Sequence, residues 1–244
     1  MSRREQGPLF SALNLWGLGY VFAGVVLATL AAWPLYDAPR ALAVGLVGGS
    51  IGMVAAVLAR MLRWGTLLAA VVPAVAYVVV AVPLAIPSAL SSPSAFVGGL
   101  RDAVLGVVLG WKQILTLKPP LGEYQAVLIP FLVVVLFGAF IATLLVLGRS
   151  RRRSTVAVLV VSAMSVFGIA FGGSGTSAPV SLLGFTLPAP REWLIGVAVF
   201  VVALVFLVGA SRLRRARALR AVAAHNITRR ATPVWLSIRR HLLS

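Results

Sequence analysis

The segment Gly172-Gly173-Ser174-Gly175 has the G-x-S-G spacing with which intramembrane serine proteases present a nucleophile. Such a serine attacks only when a base, usually histidine, stands within hydrogen-bond reach to take its proton. The chain has two histidines, His225 and His241, and both fall in a basic tail beyond the last apolar run. The segment therefore reads as a flexible Gly/Ser loop. There is no cysteine, which excludes a thiol nucleophile, a disulfide and a thiolate metal ligand. Asp37, Asp102, Glu123 and Glu192 would share one side of a membrane and can be imagined around a cation. Three of them sit close to arginine in sequence, Asp37 near Arg40, Asp102 beside Arg101 and Glu192 beside Arg191, so surface ion pairing is the simpler reading. No catalytic residue, metal ligand or cofactor is assigned.

The elements that would carry such groups are membrane helices. Hydrophobic residues make up 60% of the 244, charged residues 11%, and the mean hydropathy is +1.02. A soluble domain cannot hide that much apolar surface. About 20 apolar residues cross a bilayer core as a helix. Six segments have that length, at about 13–33, 41–59, 65–86, 126–147, 155–172 and 192–210. Trp33-Pro34, Arg60 to Arg63, Pro83 and Pro87, Gly148-Arg149 and Ser211-Arg212 mark their ends. The expected fold is all-α: a polytopic bundle of six transmembrane helices over residues 1–211, followed by a basic cytoplasmic tail, 212–244. The first span has no small-residue cleavage site behind it and reads as an uncleaved span, not a signal peptide.

The formal charge of +17 is distributed by side rather than gathered on a soluble face, so no nucleic-acid partner is inferred. With the N-terminus inside, 17 of the 22 Lys and Arg are cytoplasmic: Arg3, Arg4, Arg60, Arg63, Arg149, Arg151, Arg152, Arg153 and nine from Arg212 to Arg240. Arg40, Arg101, Lys112, Lys118 and Arg191 remain outside. The positive-inside rule then puts both termini in the cytoplasm of an inner-membrane protein. Arg149, Arg151, Arg152, Arg153, Arg214, Arg215, Arg239, Arg240 and Trp235 are expected on the anionic inner leaflet.

Between the third and fourth spans lies a long outer connection. The sequence predicts an interfacial helix over about 94–117, with Leu100, Val104, Val107, Trp111 and Ile114 as its apolar side and Arg101, Asp102, Lys112 and Gln113 as its polar side. Its uncharged run, Ala103 to Trp111, is too short to span. Pro119 and Pro120 end it. In the second span Gly45 and Gly49, then Gly48 and Gly52, have the small-xxx-small spacing of close helix packing, read as intramolecular. No ionisable residue occurs mid-span, which weakens an ion-coupled transporter. A permease for small molecules or lipids stays open as the alternative, with Thr29, Ser50, Tyr77, Thr143 and Ser162 as scattered polar candidates.

The six spans, the outer segment "GGLRDAVLGVVLGWKQILTLKPPLGEYQAVLIPF", the stretch "FGIAFGGSGTSAPVSLLGF" and the Arg-rich run after the sixth span together resemble the N-terminal membrane domain of bacterial, especially actinobacterial, transglutaminase-like proteins of the TgpA type. The resemblance implies an extracytoplasmic papain-like core with a Cys-His-Asp triad after the membrane domain. None of those catalytic residues has a counterpart here. The chain is expected to be either the membrane part of a longer protein or a stand-alone relative. Its function is then that of a membrane anchor and scaffold in the cell envelope, partnered by the bilayer and by an extracytoplasmic transglutaminase-like domain or other envelope proteins.

Overall fold

A computed structural model describes residues 11–122, 126–148, 150–172, 180–182, 185–187 and 190–241. Seven helices follow in order: α1 (Ala12–Tyr36), α2 (Pro39–Met61), α3 (Thr66–Ala85), α4 (Pro93–Thr116), α5 (Ile129–Val146), α6 (Arg151–Phe171) and α7 (Pro190–His241). A 3-10 turn, Pro87–Leu90, precedes α4. Two three-residue strands, β1 (Val180–Leu182) and β2 (Phe185–Leu187), pair antiparallel between α6 and α7.

The interior is held by close contact of small residues, because lipid removes the hydrophobic drive between helices and leaves van der Waals packing to hold them. α2 lies between α1 and α5. Its Gly45 and Gly49 face Thr29 and Val25 of α1, while Gly48 and Gly52 face Leu132 and the Leu136 backbone of α5. Gly24 and Gly168 do the same between α1 and α6, against Val161 and the Ala31–Ala32 backbone. α5 is the most enclosed helix, with Phe131, Leu132, Val135, Leu136 and Ala139 fully buried. Large apolar side chains cover the outside instead, among them Phe22, Val54, Leu67, Val79, Leu159 and Phe200. Such a surface is stable only against hydrocarbon.

All seven helices are long and apolar enough to cross a membrane, one more than the six read from the sequence. The additional one is α4, the least hydropathic of the seven. Its charges, Arg101, Asp102 and Lys112, are few enough that the Leu and Val around them keep its average apolar. The other boundaries agree within a few residues, except at the end. α7 runs through Ser211 without a break and is 52 residues long in all, about 78 Å.

α4 starts from a well-formed cap: the Ser92 side chain accepts from the Ala95 N–H at 3.1 Å and Pro93 occupies the first turn. Most of its contacts with the bundle lie near one end, and the deepest described is to Tyr77 inside α3. Gly99 meets Val82 and Ala89 beside the end of α3, Gly106 and Gly110 meet Ile129 and Pro130 at the start of α5, and Trp111 meets Phe167 and Phe171 at the end of α6. The chain then returns to the end of α1, where Leu121 and Gly122 donate their N–H groups to the carbonyls of Leu35 and Tyr36 at 2.8 and 3.0 Å. Gly122 has φ 65°, a turn that favours glycine.

Candidate functional site

α4 and its surroundings form the most specific polar and aromatic construction among the described residues. The helix has three faces rather than the two expected. Gly99, Ala103, Gly106 and Gly110 form the buried face, completed by Ile114. Their spacing keeps the smallest side chains on one line, so the α4 backbone lies directly on α5 and on the 3-10 turn. Leu100, Val107 and Trp111 flank that line and are half-buried. Val104 of the expected apolar stripe stands 62% exposed, because it points away from the bundle. Arg101, Asp102 and Lys112 occupy the other flank and are exposed, as are Pro119 and Pro120, joined by a cis peptide bond. The polar flank is mixed: Leu105 and Leu109 line a cleft of about 350 Å³ with Asp102, Gln113 and Ser88.

Two attachments hold the helix in place. Near its middle, the Tyr77 hydroxyl of α3 donates to the Ala103 carbonyl at 2.7 Å. At its far end, Trp111 packs edge-on against Phe167 at 5.6 Å and Phe171 at 6.1 Å. Phe167 in turn stacks on Phe131, which packs against Tyr36. The aromatic chain therefore links α4 through α6 and α5 to the end of α1. Tyr77→Phe is expected to lower stability by about 1 kcal/mol, the net value of one buried hydrogen bond. Unfolding by denaturing detergent in mixed micelles checks it, and an unchanged midpoint would show that the hydroxyl does not fasten α4.

The basic end lies opposite. Arg151, Arg152 and Arg153 are exposed in the first turn of α6 and Arg215 is exposed on α7, whereas Arg214 is partly buried. Arg149 lies outside the described residues, as do Ser174 and Glu123 and the side chains of Trp235, Arg239, Arg240, Glu192 and both histidines. Asp37, with φ 45°, closes α1 in the left-handed region. Among the described residues, no three potential metal ligands come together.

The scattered polar side chains of the interior are mostly bonded to nearby backbone. Thr29 Oγ1 donates to the Val25 carbonyl at 2.8 Å and Ser165 Oγ to that of Val161 at 3.4 Å. Ser162 lines a cleft between α6 and α7, and the buried Thr143 hydroxyl has no partner.

Two features escape the sequence reading. The small-residue line of α4 was visible as Gly99, Ala103, Gly106 and Gly110 at helical spacing, but larger neighbours dominate any hydropathy pattern. The contact between Arg214 and Ser154 joins helices far apart in the chain and left no sequence signal.

Compared with known proteins, the chain matches no family model, no curated protein and no solved structure. Helix length, hydropathy and an apolar exterior define the class directly: an all-α, multi-pass integral membrane protein.

Proposed function

We propose that this chain is the membrane anchor and scaffold of a cell-envelope protein, with six spans, both termini cytoplasmic, and α4 as an extracytoplasmic platform rather than a seventh span. The observation that carries the reading is that the attachments of α4 at Gly99, Gly106, Gly110 and Trp111, and of the following Leu121 and Gly122, gather toward one end of the bundle, with Ala103 tied somewhat deeper, to Tyr77. A helix of 24 residues, about 36 Å long, would reach the opposite end if it crossed. The charge distribution supports calling that end the outer one. On it, α4 presents Arg101, Asp102 and Lys112 toward water beside a cleft that a neighbouring domain can fill. The family resemblance makes a transglutaminase-like domain the natural occupant, with other envelope proteins as the wider class.

The test uses the absence of native cysteine. Single-Cys variants at Ser94 and Lys118, which flank α4, are expected to react with an impermeant thiol reagent from outside intact cells, and one at Arg63 only after permeabilisation. Ser94 and Lys118 labelling from opposite sides would establish a seventh crossing and remove the platform.

A further inference from the structure

α7 leans on α1 more than on α6. Its Phe206 ring stacks on Tyr20 at a centroid distance of 4.1 Å, and the Phe206 carbonyl accepts from Trp16 Nε1 at 3.3 Å. A lateral cleft of about 440 Å³ is left between α6 and α7, lined by Val158, Ser165 and Ile169 on one side and Gly196, Phe200 and Leu207 on the other. It continues past Ile169 and Gly196 into a second hollow of about 400 Å³ beside Trp193. From Trp193 to Leu207 the combined groove follows α7 for about 21 Å, more than the roughly 15 Å of one hydrocarbon leaflet.

The Leu207 end of this groove runs into a guanidinium. Arg214 lies two turns further on the same face of α7, and Ser154 one turn before Val158 on α6. Arg214 donates to Ser154 Oγ and, at 3.5 Å, to the Ser150 carbonyl, while its Nε is buried without a partner. Arg151 and Arg217 add like charge beside it. α6 begins here with three arginines, no acidic residue in its first turn and no side-chain cap from Ser150, although a helix N-terminus repels cations and attracts anions. The carboxylates whose side chains are described, Asp37 and Asp102, belong to the other end of the bundle. One side of the membrane boundary thus carries an excess of cation with unsatisfied donor capacity, at the mouth of an apolar groove. The guanidinium fork matches the oxygens of a phosphate. Ser154 is about 6 Å from Val158 along the helix, comparable to the 5–8 Å or so of a headgroup layer.

We propose that the α6–α7 groove is a binding site for one anionic glycerophospholipid, its acyl chain between the helices and its phosphate on Arg214 and Arg151. This does not depend on the platform reading, since it requires only that a bilayer surround the bundle.

Native mass spectrometry of the full chain with phosphatidylglycerol and phosphatidylcholine of identical acyl chains tests it. Both lipids offer the same phosphate oxygens, but the choline cation of phosphatidylcholine would meet the like charge of Arg214, Arg151 and Arg217, so the wild type is expected to retain phosphatidylglycerol about tenfold better. Arg214→Gln should bring the two lipids within about twofold, and Arg151→Gln, at an exposed position, should reduce the preference in part even if Arg214→Gln does not fold. Gly196→Phe should weaken both lipids, because a side chain there enters open space in the groove and meets no neighbour within 4 Å of its Cβ. An undiminished preference in folded Arg214→Gln, or in Arg151→Gln should the former not fold, would overturn the phosphate site. Equal competition by inorganic phosphate, or unchanged lipid retention in Gly196→Phe, would overturn the acyl groove.

Discussion

Gly52→Val is expected to prevent the bundle from assembling, while Gly19→Val leaves it intact. A Cβ at Gly52 points straight at the carbonyl oxygen of Leu136, and backbone cannot rotate away as a side chain can. α2 would have to move off α5 along the line that Gly48 and Gly52 share, breaking contacts with Leu132 and Leu136. Ordinary overpacking costs about 1–3 kcal/mol, and a clash with fixed backbone lies at or above the top of that range. Against a total stability of about 5–15 kcal/mol this is enough to depopulate the fold in detergent. Gly19 is the matched control, since it belongs to a transmembrane-length helix too and an added Cβ finds nothing within 4 Å. Fluorescence-detected size exclusion after graded heating separates the two. If both variants behave alike, the α2–α5 approach is not close in the membrane.

Phe167→Ala is expected to have the second-largest effect and to act on α4 in particular. Phe167 is only 6% exposed and touches three rings: Trp111, Phe131 and Phe171. Removing such a side chain costs about 3–5 kcal/mol where the surroundings cannot collapse. Here the neighbours are rings from α4, α5 and α6, so the void falls at the junction that holds the far end of α4. A cysteine at Ile114, which is buried under the far end of α4, should then react faster with soluble thiol reagents in the Phe167→Ala background than in the parent. Phe167→Leu, which refills most of the volume, should restore the slow rate. Destabilisation without any change at position 114 would mean that the aromatic junction serves the bundle alone.

The spans were legible because each apolar run is bounded by residues that disfavour either helix or hydrocarbon, such as Gly148-Arg149 after α5 and Trp33-Pro34 near the end of α1. α7 was cut short at Ser211 for an instructive reason. Charge ends a membrane span, but Arg, Ala and Leu are strong helix formers, so the stretch after Ser211 loses hydropathy without losing helicity. In α4 the helix itself was legible from its period, but its packing face was not. The large residues Leu100, Val104 and Trp111 set the pattern, whereas the contact is made where side chains are nearly absent, at Gly99, Ala103, Gly106 and Gly110. Reading apolar size as burial holds in water and fails where lipid is the solvent. The junctions between distant helices, Tyr77 with Ala103 and Arg214 with Ser154, are products of tertiary placement.

α1 packs against α2, α5, α6 and α7, and its last carbonyls accept from Leu121 and Gly122. During synthesis it therefore leaves the ribosome with most of its partners still untranslated. The groove at Gly24 stays unfilled until Val161 arrives, and the Trp16 and Tyr20 rings wait for Phe206. The molecule cannot mature as two halves made in turn. A nascent chain halted after α5 would hold α1 with one side facing lipid, and the contacts on that side would close only once α6 and α7 have entered the membrane.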